Sequence, residues 1–351
     1  MLKTYQMETR TENKIDPSKI LQIGMGFFAS KTLLTAVHME LFTILAKREL
    51  AGKDIQSRLG LHPRSLYDFL DALVSLGLLR RTGIKETAMY RNSEEAELFL
   101  DKNKPSYVGG MLEMANNRLY RFWNDLEEAL KTGKPQCETK NGDKPFFQEI
   151  YASEDKLREF LKAMGGIQMG NFIAFSKKFD FSKYKTLCDI GGAGANLSAQ
   201  VALNNPHMKC ISFDLPPVAH VANENIEQLA LGGKVSIRYG DFFMDDFPKV
   251  DVITMGNILH DWGLKEKKML IKKAYSALPE GGALVIIENI IDDDRRQNTF
   301  GLLMSLNMLI ETPDGYDFSA SDFNKLAKEA GFKKTSLMPL TGPTSAAIAI
   351  K

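Results

Sequence analysis

The sequence predicts an α/β protein in two main parts: a doubly wound parallel sheet towards the C-terminus, preceded by a helical unit that carries a small hairpin. Three observations predict it. From about residue 184, compact apolar runs alternate with helical patterns, the mark of a parallel sheet with helices on both faces. One of those runs passes directly into Gly191-Gly192-Ala193-Gly194 and then into a helical pattern. Residues 51–92 read helix, turn, helix and two short strands, which is the order of a winged helix. A chain of 351 residues is long enough for two domains with sizeable cores. We place the divisions at 1–105, a helical linker at 106–183 and a sheet domain at 184–351.

The N-terminal elements follow from local signals. Leu21 to Leu45 has apolar residues at helical spacing and no proline, although Gly24 and Gly26 weaken its first turns. Ala51 to Leu59 forms a second helix, and Gly60, Leu61 and His62 make a turn. Pro63 opens the next helix, which runs to Leu76 and stops at Gly77. Leu78 to Arg81 and Ala88 to Asn92 are strands around Thr82 and Gly83. A DNA-reading helix needs basic and polar side chains on its exposed face. Here that helix carries Asp68 and Asp71 beside Arg64, with Leu66, Phe69, Leu70, Leu73 and Leu76 as an apolar stripe. Acidic groups repel phosphate, so packing or dimerisation is expected in place of DNA binding.

The middle segment is expected to be helical, over Met111 to Leu130, Phe146 to Tyr151 and Leu157 to Phe179. Gly165 and Gly166 interrupt the last of these, marking either close approach of another group or a kinked core helix. In the sheet domain the strands are Thr186 to Ile190, Lys209 to Asp214, Val235 to Tyr239, Val250 to Met255 and Ala283 to Ile291. Lys333 to Pro339 and Ala346 to Lys351 add a terminal hairpin joined at Gly342-Pro343.

Composition narrows the function classes. A net charge of +1 gives no sign of nucleic acid or an anionic membrane as a partner. Cys137, Cys188 and Cys210 form no CxxC pair and no metal-like spacing with histidine, so no metal site is expected. The run Asp292-Asp293-Asp294-Arg295-Arg296 reads as a charged loop after a strand. The polar start, Met1 to Asp16, lacks the pattern of a signal peptide, and no apolar run is read as a membrane span. The expected compartment is the cytoplasm.

The glycine turn points to a nucleoside. Glycine lets the backbone approach a ligand closely, and ligands of open α/β sheets sit beyond the carboxyl ends of the strands. Asp189, Gly191, Gly192 and Gly194 occupy the first such end; Asp214 and Leu215 occupy the next, where a carboxylate can accept from both ribose hydroxyls. Leu197 stands where a dinucleotide fingerprint has its third glycine, which counts against NAD. After the third strand, Asp241 can bond an adenine amino group and Phe242 can stack on the ring; a solvated surface turn is the alternative.

Five ordered motifs then carry a resemblance: Asp189-Ile-Gly-Gly, Phe213-Asp-Leu-Pro, Gly240-Asp-Phe-Phe, Leu259-His-Asp-Trp and Ala277-Leu-Pro-Glu-Gly-Gly. Over nearly its whole length the chain resembles the O-methyltransferase family of plant caffeate and flavonoid enzymes, acetylserotonin methyltransferase and bacterial polyketide methyltransferases. The resemblance implies a Rossmann-like class I methyltransferase sheet, S-adenosyl-L-methionine as cofactor, no metal, and a winged-helix domain that makes an obligate homodimer. It also implies His260 as general base, with Glu288 as the acidic partner that fixes the imidazole tautomer. Asp317 stands where the family has a second acidic residue, usually Glu, with a shorter reach. Many relatives have a cofactor-touching basic residue where this chain has Gly256 and Asn257, which leaves Asn257 free to face the acceptor instead. Met164, Met304, Asn307 and Met308 match or neighbour acceptor-clamping positions; Phe27, Phe28, Trp123 and Phe172 are weaker candidates. The chemistry agrees. A departing thioether needs no acid, whereas a phenol with pKa near 10 must lose its proton, and a histidine with pKa near 6.5 can take it. The expected activity is O-methylation of a small aromatic or polyketide-like molecule. N- or C-methylation, cofactor-dependent chemistry without transfer, and a DNA-binding regulator are the competing readings.

Overall fold

The structure is a computed structural model that describes residues 15–140, 150–151 and 153–351. It divides into two compact units, residues 1–97 and 98–351. The 106–183 segment belongs to the second unit, because its long helix packs on the helix Asn196–Asn204 of the sheet domain. Most of the helix expected over Phe146 to Tyr151 lies outside the described residues.

In the first unit the helix expected over Leu21 to Leu45 is broken into three, Ser18–Gly24, Gly26–His38 and Leu41–Ile44. The first break falls at Met25, between the two glycines. The second falls at Glu40, whose φ of 58° is left-handed and ends a right-handed helix. The stretch Ser18–His38 is also more apolar than expected. An 18-residue window within it has a mean hydropathy of 1.4, which by length and composition alone suffices to cross a membrane. Ile20, Leu21, Ile23, Met25, Phe27 and Phe28 on this stretch are exposed. The following helices are Gly52–Leu59 and Leu66–Ser75. The latter starts three residues after Pro63 because Ser65 N–H bonds back to the His62 carbonyl and closes a turn first. Strands β1 (Leu50–Ala51), β2 (Leu79–Thr82) and β3 (Met89–Asn92) form an antiparallel sheet in the order β1-β3-β2. Asp71 is not a free acidic charge on the second helix: it pairs with Arg81 at 2.6 Å and accepts from the Tyr90 hydroxyl at 2.9 Å.

The second unit is built on a sheet of seven strands among the described residues. They are β4 (Thr186–Ile190), β5 (Lys209–Asp214), β6 (Val235–Tyr239), β7 (Val252–Gly256), β8 (Ala283–Glu288), β9 (Lys334–Pro339) and β10 (Ser345–Ile350). Their order is β6-β5-β4-β7-β8-β10-β9, parallel from β6 to β8, with β10 inserted antiparallel between β8 and β9. Every residue of β8 is buried, as in a strand covered on both faces, which explains its unbroken apolar sequence. Two apolar clusters flank the sheet. One includes Ile253, Met255, Leu270 and Phe323; the other includes Phe175, Leu197, Val252 and Val285.

The expected strand over Ala283 to Ile291 ends at Glu288, and the backbone of the next residues leaves the sheet. The long helix is Glu154–Lys178, capped by Ser153, whose side chain accepts from Lys156 N–H. It runs through Gly165 and Gly166 unbroken, so close approach explains both glycines. A Cβ on Gly165 would stand 2.6 Å from Asn196 Nδ2, and one on Gly166 would stand 2.9 Å from the Tyr107 carbonyl. All three cysteines are free and buried.

Candidate active site

A cavity of about 870 Å³ opens at the carboxyl ends of β4, β5 and β7. One wall is the glycine turn. Gly191 and Gly192 N–H both donate to the Phe213 carbonyl, at 2.9 and 3.2 Å, which ties the turn to the end of β5. Gly191 has φ +70°, and a Cβ there would stand 2.2 Å from Ile258 Cδ1, so only glycine fits. Asp214 completes this wall: its Oδ2 accepts from Ala193 N–H at 2.8 Å and its Oδ1 from Leu215 N–H at 2.7 Å. Burial pushes its pKa up to about 6, against those two hydrogen bonds. Asp189 is buried just behind, accepting from Thr254 Oγ1 at 2.7 Å, and burial pushes it up to about 7.

Asp189, Gly191, Gly192, Asp214, Leu215, Asp241, Phe242, Gly256 and Asn257 all line the cavity. Gly194 does not: it lies one step beyond, where its carbonyl is held by Asn225 Nδ2 at 2.8 Å. The Asp241 turn is built, not merely solvated. Asp241 Oδ1 accepts from Phe243 N–H at 2.8 Å, and Lys273 Nζ binds the Phe242 carbonyl at 2.8 Å. Asn257 has φ +53°, a conformation asparagine tolerates better than most residues, and its buried Oδ1 has no hydrogen-bond partner. These features fit an adenosyl group. They offer a close-approach turn, a half-buried carboxylate at the next strand end, an aromatic ring and an unsatisfied polar atom in one hollow.

His260 also lines the cavity, from the single turn Leu259–Asp261 that follows β7. Its ring is buried. Nε2 is 3.5 Å from Asp261 Oδ1, and Nδ1 is 3.5 Å from Asp317 Oδ1, ion-pair contacts longer than good hydrogen bonds. Burial opposes the imidazolium, but Asp261, then Asp317 and Glu288, outweigh it and push His260 up to about 10. The tautomer-fixing contact expected of Glu288 is therefore not what the structure shows. Glu288 Oε1 instead accepts from the backbone N–H groups of Ile258, Leu259 and His260, at 3.2, 2.8 and 3.3 Å. The reason is geometric: β8 ends level with the start of the His260 turn, so the carboxylate meets backbone before it can meet the ring. Burial raises Glu288 to about 7. Asp317 does reach the imidazole despite its shorter side chain, because Gly315 lets its segment lie against the His260 turn. A Cβ on Gly315 would be 2.6 Å from the His260 carbonyl.

The rest of the lining is apolar and aromatic with a few polar groups. Met164, Met304, Asn307, Met308 and Phe172 contribute to it. Both ends of the Asn307 amide are engaged: Oδ1 accepts from Trp123 Nε1 at 2.9 Å, and Nδ2 donates to Glu311 Oε2 at 2.7 Å. Trp123 thus supports Asn307 from behind, while Phe27 and Phe28 belong to the first unit. Sequence reasoning missed Asp261, although it adjoins His260, and Glu311, which pairs with Arg118 at 3.1 Å. It also missed Tyr151, a lining phenol whose pKa is raised by burial and by Asp214 and Asp261. A charged residue within the apolar helix Thr299–Glu311 is the signal that would have found Glu311.

A parallel sheet with one reversed strand near its edge, a glycine turn and an acidic second strand end define the class I S-adenosylmethionine-dependent methyltransferases, and the chain is one of them. Comparison with known proteins names the family. The O-methyltransferase domain matches residues 123–333, and the O-methyltransferase dimerisation domain matches residues 21–102. The 8-O-methyl transferase TcmO of tetracenomycin polyketide synthesis, from Streptomyces glaucescens, is 39% identical over 95% of this chain and 97% of its own length. The N,N-dimethyltransferase OxyT of Streptomyces rimosus is 31% identical over 90% of each chain. The crystal structure of human N-acetylserotonin methyltransferase in complex with SAM superimposes with a TM-score of 0.87 at 26% identity, over 97% of this chain and 99% of that one. The chain belongs to the O-methyltransferase family.

Proposed function

We propose that the protein transfers a methyl group to a hydroxyl of a flat aromatic or polyketide-like acceptor, with His260 taking the hydroxyl proton. The observation that carries this reading is the single cavity: it joins the adenosyl-compatible wall to a buried histidine and to a Met-rich apolar hollow. When bound, S-adenosylmethionine supplies an electrophilic methyl and a sulfonium charge that opposes protonation of His260. Asp214 accepts from the ribose hydroxyls, Asp241 from the adenine amino group, and Phe242 covers the ring. Gly191, Gly192 and Asp189 shape the floor, and Gly256 and Asn257 face the amino-acid end. Met164, Met304 and Met308 adapt to a flat ring from several sides, and Asn307 is oriented by Trp123 and Glu311.

The roles of the acidic groups differ. Asp317 steadies Nδ1, and Nε2, which meets Asp261 at 3.5 Å, is the nitrogen assigned to the acceptor. Glu288 holds three successive backbone N–H groups and thereby fixes where the ring stands. OxyT is an N,N-dimethyltransferase by name and covers 90% of this chain, but a base is needed most for a hydroxyl, and His260 beside Asp317 supplies one. The exposed apolar residues of Ser18–His38 support a homodimer through the first unit: burying such a strip against a second copy removes it from water, which a cytoplasmic enzyme requires.

The test is turnover. His260→Ala is expected to lower kcat with a phenolic acceptor by about 10²–10⁴-fold, the usual contribution of a general base, while S-adenosylhomocysteine affinity stays near wild type. Full turnover in the variant would remove the assignment, and a screen in which only amines are methylated would favour the nitrogen reading.

A further inference from the structure

Lys267 lies seven residues after His260, near the start of the helix Leu264–Ala277. Its side chain is fully buried, which is rare for a lysine and requires partners. Nζ donates to the Trp262 carbonyl and, at 3.0 Å, to the Tyr316 carbonyl, and it stands 3.5 Å from the centre of the Tyr316 ring. These carbonyls belong to the two segments that make the His260 site. Trp262 ends the turn that carries His260 and Asp261; Tyr316 precedes Asp317. Gly315 already lets the segments touch, and Lys267 bridges them. The charges facing Lys267 come from every neighbouring element: Glu288 at the end of β8, Asp317 after the helix Thr299–Glu311, Asp261 beside His260, and Glu266 on its own helix.

We propose that Lys267 is a positioning residue for proton removal: it ties the His260 turn to the Asp317 segment and is the second cation that, with His260, balances the buried carboxylates. Without it, the carboxylates of Asp261, Asp317 and Glu288 around one imidazole would have that ring as their counter-ion and hold its proton fast. Lys267 shares the negative field and so eases release of that proton. The two carbonyl contacts also keep Asp317 within reach of Nδ1. The proposal rests on the reading of His260 as the proton acceptor, but its test does not depend on turnover alone.

The experiment is a histidine titration by NMR on ligand-free, isotope-labelled full-length protein, with the His260 signal assigned by its loss in His260→Asn. In Lys267→Met the His260 midpoint is expected to move up by about one pH unit, the effect of removing a unit charge about 10 Å away at an effective dielectric near 20. The acidic limb of the kcat/KM profile should move in the same direction, and Lys267→Arg should restore the midpoint towards wild type. An unmoved midpoint in Lys267→Met overturns the proposal even if its Tm falls, since a purely structural lysine predicts that result. If Lys267→Met does not fold, the wild-type curve still decides: a second inflection from Lys267 supports the coupling, and a single unperturbed step overturns it. Failure of the His260 reading is distinguishable, because it appears as turnover retained in His260→Ala.

Discussion

Asp214→Asn is the change that tests the cofactor wall most directly. Both carboxylate oxygens accept backbone N–H groups, from Ala193 at 2.8 Å and Leu215 at 2.7 Å. Whichever way an asparagine amide is turned, its NH2 meets one of those donors. Leaving a buried donor unsatisfied costs about 1–3 kcal/mol, and a hydrogen bond from a ribose hydroxyl to a charged acceptor contributes about 1.5–3 kcal/mol. Part of the first cost is recovered, because the variant no longer buries a charge. The unsatisfied donor is present with and without ligand and so lowers stability, whereas the lost ribose bond sets the loss of ligand affinity, about 1.5–3 kcal/mol or roughly 10- to 150-fold. Calorimetric titration with S-adenosylhomocysteine at pH 8 measures it, and thermal unfolding without ligand checks that the fold persists. Wild-type affinity in the variant would refute the ribose role. The pH dependence is a second check. The pKa of Asp214 is raised from the ordinary 3.8 to about 6 by burial, and the ionised form is the one with both oxygens free to accept. Wild-type affinity should therefore decline as pH falls through about 6, and that decline should be absent from Asp214→Asn.

Gly191→Ala should abolish measurable cofactor binding, because its Cβ would stand 2.2 Å from Ile258 Cδ1 on a backbone of φ +70°; Gly232→Ala, with open space around it, is the control, and binding retained in Gly191→Ala would show the turn to be less tight than described. Asp189→Asn should stabilise the ligand-free protein at pH 8 but not at pH 4. Burial raises Asp189 from 3.8 to about 7, so its protonated form favours the fold at low pH. That advantage is lost as pH rises from about 4 to 7, leaving a buried charge worth about 2–4 kcal/mol at most. Asn can still accept from Thr254. An unchanged or lower Tm at pH 8 would contradict the cost assigned to that carboxylate.

The sheet was legible because its strands are short apolar runs ended by turns. β4, β5 and β6 run over the residues that the pattern of the sequence marks, since apolarity and sheet pairing start and stop together there. One boundary differed where apolarity outlasts pairing. Ile290 and Ile291 are apolar and buried but lie beyond β8, and Ile290 joins the cluster that holds Ile258 and Leu259. The breaks at Met25 and Glu40 were not legible as breaks, since a left-handed φ at glutamate has no sequence signal. The same holds for Gly165 and Gly166, whose meaning depends on Asn196 and the Tyr107 carbonyl, partners distant in the chain.

The site shows the sharper limit. A motif identifies residue types at positions; it does not say which atom of a side chain meets which partner. Glu288 follows His260 by 28 residues, and both side chains are buried together, yet the carboxylate binds the backbone of the turn while Asp317 and Asp261 meet the ring. This division has a physical basis. Three N–H groups at the start of a tight turn form an anion-binding hollow, and an oxygen placed there is satisfied without the imidazole. Asp317, by contrast, has neither oxygen hydrogen-bonded. Its charge is therefore left for the imidazole and for the cation that bridges the two segments. A shorter acid can serve in this chain because Gly315 brings the backbone close enough to make up the missing methylene. Removing Gly315's freedom should thus harm proton transfer more than lengthening the acid at 317 would help it.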